Sequence, residues 1–570
     1  MSIAKLKKQI VLIGLIFLVL PSVASADALG QTVKFNIDPS YDFEKRGEIF
    51  ATLRVISPKL YFYIDESWWN SLTYTKQAEI STFLSALGTE FDQKIYPILT
   101  STFGFESKPG IDKDETVTIL IHPMIEEAGG YFNSGDGYPR LQNPKSNERE
   151  MVYLNAQQID KPNLTSFLAH EFTHLITFNQ KDILRKISEE TWLNEARAEY
   201  APTLVGYDEI YEGSNLERRV KNFLERPHDS LTEWQNSRWD YGIINLFIQY
   251  LVDHYGVKIL ADSLYSSKAG IPSINETLAK NGFSEDFSQI FTDWTITVLV
   301  NDCNLGQKYC YLNPNLKNLR VTPLINFLPL IGESSLSITH RTSNWAGNWQ
   351  KIVGGKGILT LDFDGADEVN FKVPYLICDY QQKCQVSLLS LDKNQKGEIA
   401  LPEFNQKYNS LTIIPSIQTK FTGFNRIESF YIFSWKASIV EKTAAEKEAE
   451  LIKQLLAQID FLQKEIAKVQ AQINAILAKK IGTCTFSADL YFGMMGNPDV
   501  RCLQEFLESQ GPEIYPEGLV TGNFLSLTKA AVIRFQEKYA TEILVPLGLE
   551  KGTGYFGPMT RAVANQKLNW

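Results

Sequence analysis

His170 and His174 bracket Glu171 in the run His-Glu-Phe-Thr-His. On a helix this spacing stacks both imidazoles on one face, where they can grip a single metal ion. Glu171, beside the first histidine, is placed to take a proton from water at the metal. A second run, Trp192-Leu193-Asn194-Glu195-Ala196-Arg197-Ala198-Glu199, offers Glu195 as a third ligand. A His/His/Glu set leaves the fourth position of a tetrahedral site open, as catalysis requires. The alternative is a pair of core histidines that bind nothing, which would need other polar groups to satisfy two imidazoles and a carboxylate.

The surrounding pattern must hold these residues in place. Strand-like alternation through Leu60-Tyr61-Phe62-Tyr63-Ile64 precedes a helical pattern from about Ser67 to Leu99. Strands at Thr116 to His122 and Met151 to Asn155 flank the Gly-rich Gly129-Gly130-Tyr131-Phe132-Asn133. The histidine-bearing helix follows Lys161-Pro162-Asn163, with Asn163 as N-cap, and a helix from about Glu190 to Leu204 places Glu195 and Glu199 on one face. Another runs from Trp239 to Tyr255, with Tyr241 near its start. This order predicts an α+β domain over residues 27–334.

At 570 residues, with 44% hydrophobic and 21% charged composition, the chain is too long for one core. A formal charge of −10 without a basic patch argues against nucleic acid. Lys5, Lys7 and Lys8 lead into an apolar run from Ile10 to Leu20 and then Ala24-Ser25-Ala26, which reads as a signal peptide over 1–26 cut before Asp27. An uncleaved anchor is disfavoured because the run falls short of the ~18 apolar residues of a membrane span. The mature chain is therefore expected to be secreted and free of the membrane. Six cysteines form three close pairs, Cys303 with Cys310, Cys378 with Cys384, and Cys484 with Cys502, which suits disulfides in an exported protein.

Beyond the first domain, short alternating runs predict a β-sandwich over 335–439. Over 440–480, Ile452, Ile459, Ile466 and Ile473 alternate with Leu455, Leu462, Val469 and Ile476 in a heptad seam, predicting a coiled coil and a homodimer; a lone helix packed on a neighbour is the alternative. The last segment, 481–570, repeats a Thr-Gly turn before a short helix at Thr521-Gly522 and at Thr553-Gly554. Asp392-x-Asn394-x-Lys396-Gly397 imitates a calcium loop but lacks ligands where they are needed, and reads as a hairpin turn. The remaining histidines, 122, 228, 254 and 340, have no ligand-like spacing.

Taken together, His-Glu-Phe-Thr-His, the Asn-Glu-x-x-x-Glu of the next helix and Tyr241-Gly242 resemble the gluzincin zinc peptidases, and most of all the hyicolysin-like secreted bacterial metallopeptidases, over about residues 115 to 255. The resemblance implies that zinc is bound by His170, His174 and Glu195, with Glu199 orienting the first histidine and Glu171 as general base. It also implies an oxyanion donor, for which Tyr241 is the candidate beside its alternative as a core residue. Zincin domains hold a peptide as an added strand along a sheet edge, here Gly130, Tyr131 and Phe132, which could equally be an ordinary turn. The tail, through Asp499-Val500-Arg501-Cys502-Leu503-Gln504 and Val532-Ile533-Arg534-Phe535-Gln536, resembles the small, mainly α peptidoglycan-binding domain of wall enzymes, although Leu525 stands where such repeats have Gly. The expectation is an exported zinc endopeptidase tethered to the cell wall. The alternatives are a peptidoglycan cross-bridge endopeptidase and a non-catalytic adhesin or wall scaffold.

Overall fold

The computed structural model describes residues 26–424, 429–440, 444–478 and 484–568. Except for Ala26, the expected signal peptide lies outside the described residues. The chain is multidomain with mixed α and β content and packs as two units, residues 1–441 and 442–570.

The first unit opens with six strands, β1 (Thr32–Asn36), β2 (Glu48–Ile56), β3 (Leu60–Asp65), β4 (Val117–His122), β5 (Gly130–Tyr131) and β6 (Met151–Asn155), in the order β1-β2-β3-β4-β6-β5. Every residue of β3, β4 and β6 is buried, as the parallel centre of a sheet covered on both faces requires. β5 lies antiparallel to β6 and forms the sheet edge, pairing Gly130 with Leu154 and Tyr131 with Tyr153. Phe132 follows just beyond it.

The helical pattern expected to run unbroken from Ser67 divides into α1 (Glu66–Ser71), α2 (Tyr74–Glu90) and α3 (Tyr96–Phe103). Leu72 is extended, and the Thr73 hydroxyl caps α2 by accepting from the Lys76 N–H at 3.3 Å. Next come α4 (Leu164–Thr177), α5 (Thr191–Val205), α6 (Asn215–Glu225) and α7 (Arg238–Tyr255), then α8 (Lys258–Leu264), α9 (Gly270–Lys280) and α10 (Phe287–Val300). Asn163 precedes α4, but its side chain makes no capping bond; its carbonyl accepts from the Phe167 N–H at 3.0 Å.

The later strands differ from the expected pair of separate sheets. They form one connected, nearly closed nine-stranded sheet that already includes Leu324–Leu328. Strands Ser334–Thr342, Tyr431–Val440, Gly357–Gly365 and Lys396–Phe404 make one half. Cys384–Leu388, Pro374–Asp379, Tyr408–Ile413, Gln350–Gly354 and Leu324–Leu328 make the other. The tight turn after Phe404 keeps the halves joined through the pairing of Phe404 with Tyr408. Leu361, Phe404, Leu411 and Trp435 fill the core between them.

This sheet also packs on the helices. Trp345, Trp349, Leu376 and Ile414 belong to the helical core, and the Trp349 indole donates to the Thr295 carbonyl at 2.8 Å. Disulfides join Cys303 to Cys310 and Cys378 to Cys384. The loop at Asp392 is a turn, with the carboxylate accepting from the Asn394 and Lys396 N–H groups at 2.9 Å each.

The second unit begins with α11 (Ala444–Ala478), whose seam residues Ile452, Ile459 and Ile466 are exposed. In the tail, the Gln504 amide donates to Thr528 Oγ1 at 2.7 Å and its oxygen accepts from the Gly522 N–H at 2.8 Å. Gln536 makes the same clamp on Thr560 at 3.0 Å and on Gly554 at 2.9 Å. Gly522 and Gly554 have φ of 75° and 72°, the left-handed conformation that makes glycine the favoured residue in both turns. Cys484 is bonded to Cys502.

Candidate metal centre

α4 and α5 cross so that His170 Nε2, His174 Nε2 and Glu195 Oε2 converge. The two nitrogens are 3.1 Å apart, and each lies 3.4 Å from the carboxylate oxygen. The far side of each ring is engaged: His170 Nδ1 lies 3.3 Å from Glu199 Oε1, and His174 Nδ1 lies 3.1 Å from Asn194 Oδ1. With the Nδ1 protons donated to these oxygens, both Nε2 atoms present lone pairs. Three acceptors then face one another, and Glu195 Oε2 is buried without a hydrogen-bond donor.

A cation resolves that repulsion. Four-coordinate zinc with bonds of about 2.0–2.1 Å sets its ligands about 3.3 Å apart, close to the observed triangle. The nitrogen and oxygen donors also suit zinc. The residues present therefore fit the ion.

Glu171 is buried beside the triangle. Burial pushes its carboxyl up, while His170 and His174 pull it down, leaving a net upward shift. The neighbouring edge strand comes close because residue 130 is glycine: a Cβ there would lie 3.1 Å from Glu171 Cγ and 2.5 Å from the Tyr153 carbonyl oxygen. The Phe132 ring stacks against His174 with centroids 6.4 Å apart.

Glu199 is almost wholly enclosed. Burial alone would raise its carboxyl, but Arg219 and His170 hold it well below the usual carboxylate range. Arg219 Nε donates to it at 2.7 Å and Asn215 Nδ2 at 3.0 Å. Both donors sit on α6, one turn apart, and Asn245 of α7 adds a further bond at 3.2 Å.

Tyr241 reaches the centre from α7. Ser237 and Asp240 close a capping box at that helix's start, with the Asp240 carboxylate accepting from the Ser237 N–H at 2.6 Å. The Tyr241 ring lies 6.4 Å from that of His170, its hydroxyl donates to Asn236 Oδ1 at 3.3 Å, and the Arg219 guanidinium lies 4.5 Å from its centroid. Cavities of about 680 Å³ on the Glu171 side and about 470 Å³ on the Glu195 side both have Tyr41, Asn236 and Tyr241 in their walls.

All five polar residues singled out in the two motifs thus lie together, with Tyr241 and the edge strand beside them. Sequence reasoning missed Asn194, Asn215, Arg219 and Tyr41. Asn215 and Arg219 share a helical spacing of four that could have marked them as one face; Tyr41 carried no signal. Of the other histidines, His122 is buried against Asp42 at 3.2 Å and His254 Nε2 lies 2.9 Å from the Cys310 carbonyl oxygen.

No protein-family model matches the chain. The neutral metalloprotease ShpI of Staphylococcus hyicus is 32% identical over 192 residues, covering 29% of this chain and 41% of that protein. The chain thus spans less than half the length of this curated relative. Among solved structures, the periplasmic g-type lysozyme inhibitor PliG of Aeromonas hydrophila is 14% identical with a TM-score of 0.15, covering 21% of this chain and 100% of its own. The surface-associated copper-binding protein CorA of Methylomicrobium album BG8 is 9% identical with a TM-score of 0.13, covering 21% and 98%. Neither structural likeness carries an argument. Among the described residues, no helix is long and apolar enough to cross a membrane.

Proposed function

We propose that the protein is an exported zinc-dependent endopeptidase, with His170, His174 and Glu195 as ligands and Glu171 as general base. The observation that carries this reading is the meeting of three acceptor atoms within 3.4 Å while both histidine Nδ1 atoms are engaged elsewhere. The similarity to a metalloprotease supports it. Bound there, zinc supplies Lewis acidity toward a carbonyl and makes a neighbouring water more acidic.

The chain's own groups then divide the work. Glu171 removes the proton of the attacking water and delivers it to the leaving amine. Glu199 holds His170 in the tautomer that frees Nε2, and Asn194 does the same for His174. Tyr241 donates to the oxyanion that develops at the attacked carbonyl. Gly130, Tyr131 and Phe132 offer the edge along which a peptide is held in the zincin manner.

The signal-like N-terminus and three disulfides support export. Residues 481–570 would hold peptidoglycan and keep the enzyme at the cell wall, and α11 would pair two copies. Zinc content and casein hydrolysis, measured for the parent and Glu171→Gln, test the core reading: stoichiometric zinc in both with hydrolysis in the parent alone is expected, and bound zinc with no parent activity on any peptide library would sink it. The repeated tail favours one second reading, cleavage of peptidoglycan cross-bridges; release of wall fragments without casein hydrolysis would select it. Omission of residues 486–565 should abolish sedimentation with purified walls.

A further inference from the structure

The cavity on the Glu195 side takes no part in the proton transfers above. Three carboxylates, Glu189, Glu190 and Glu195, share its wall with the aromatic residues Trp192, Trp234, Tyr41 and Phe424; Glu195 belongs to the triangle above and Glu189 lies against Arg197, which leaves Glu190. Both Glu190 oxygens accept from neutral donors, Oε1 from the Gly423 N–H at 2.9 Å and Oε2 from the Trp192 indole at 2.9 Å. Among the described residues no lysine or arginine pairs with it. Lys420, whose charge is felt at Glu190, makes its close pair with Glu233 at 3.6 Å.

A second observation points to a ligand. Thr232 lines the same cavity, is 1% exposed, and its hydroxyl is buried without a hydrogen-bond partner. Native interiors rarely leave such a group unsatisfied unless something else binds there. A carboxylate in a cavity whose wall also carries aromatic side chains recognises a cation, by charge pairing and by the ring quadrupoles together. An aliphatic side chain would leave the Thr232 hydroxyl without a partner and the Glu190 carboxylate without a close counter-charge, an arrangement that discriminates against it.

We infer that this cavity receives the basic side chain, lysine or arginine, of a peptide substrate beside the bond to be cut. The inference rests on the peptidase reading and adds to it the class of substrate. Glu195 and Tyr241 stand in the same wall, so a side chain lodged there places its backbone at the centre. Burial pushes the Glu190 carboxyl up, and an incoming cation would favour its ionised form.

The test uses the full chain and two readouts. In the first, N-acetylated and C-amidated peptides carry lysine or its uncharged isostere norleucine at each position around the scissile bond. The parent should prefer lysine at one position roughly ten- to hundredfold in kcat/KM, and Glu190→Gln should collapse that ratio while Glu190→Asp retains part of it. A flat ratio in the parent, or an unchanged ratio in Glu190→Gln, overturns the inference. Preference only for peptides with a free α-amine would also overturn it, by assigning the cavity to a chain terminus. In the second, the full chain as purified is titrated with Nα-acetyl-lysine amide or Nα-acetyl-norleucine amide while tryptophan fluorescence is followed, since two tryptophans line the cavity. Saturable binding of the lysine compound alone, lost in Glu190→Gln and weakened in Thr232→Val, sustains the inference; equal or absent binding overturns it. Lysine binding without cleavage of any peptide would sink the peptidase reading and leave the cavity's assignment standing.

Discussion

Asn194 Oδ1 lies 3.1 Å from His174 Nδ1, and Asn194 is the residue immediately before Glu195. One turn of α5 thus supplies both a proposed ligand atom and the group that would aim another. Replacing Asn194 with Leu removes the acceptor and frees the His174 ring to rotate and to carry its proton on the wrong nitrogen. Zinc affinity, read by competition with a chelator, should fall about 10- to 100-fold. Unchanged affinity would show that the contact does not orient the ring.

Arg219 and Asn215 neutralise and anchor Glu199 from α6. Arg219→Met would leave a nearly buried carboxylate with its strongest counter-charge removed, a change that costs on the order of 3–5 kcal/mol when the pair is deeply buried. Unfolding in denaturant should show a loss of that order. Arg219→Met/Glu199→Gln should recover much of it, since the uncharged amide needs no guanidinium; no recovery in the double variant would mean that Arg219 acts through packing on Tyr241 instead.

How much of this is legible in the sequence follows from distance along the chain. His170, His174, Glu195 and Glu199 could be grouped because helical periodicity is local, and two helices crossing once bring all four together. Arg219 and Tyr41 arrive by tertiary packing of α6 and of the segment after β1, for which a single sequence holds no periodic trace. The tail shows the same contrast. Its Thr-Gly turns announced the repeat, but the Gln504 and Gln536 clamps that hold those turns sit on the preceding helices, where nothing local distinguishes a glutamine that binds a turn from one that faces water. The joined sheet was illegible for a related reason, since the alternation of apolar residues is the same whether a strand turns back within a sheet or crosses to another.

Two carboxylates in the first unit set a pH dependence. Burial raises Glu150 from an ordinary value of 4.5 to about 7, and Asp136 from 3.8 to about 6. A folded-state pKa above the unfolded one means that the native state binds more protons through that window, so these groups favour folding below about pH 4 and lose that contribution as pH rises through about 6 to 7. Glu150→Gln fixes one site in its neutral form. In denaturant unfolding its stability should match the parent's near about pH 5 and exceed it near about pH 8, by an amount on the order of 1–3 kcal/mol. Parallel profiles for parent and variant would remove Glu150 as a cause.

The α11 seam bears on whether two copies of the chain pair. Ile459 is 48% exposed and Ile466 is 64% exposed, although every a position from 452 to 473 is isoleucine and a solitary helix has no use for such a stripe. A 35-residue helix is about 52 Å long, enough for several layers of a parallel two-stranded coiled coil. The g and e positions Gln458, Gln463 and Gln470 impose no charge code, so apolar burial must drive association if it occurs. Two glutamates, introduced as Ile459→Glu and Ile466→Glu, would place like charges against each other in that core. Sedimentation equilibrium should then show a dimer for the parent and a monomer for the double variant, with the circular dichroism of the remaining domains preserved. A monomeric parent at tens of micromolar would end the pairing proposal, and the exposed seam would need a different partner.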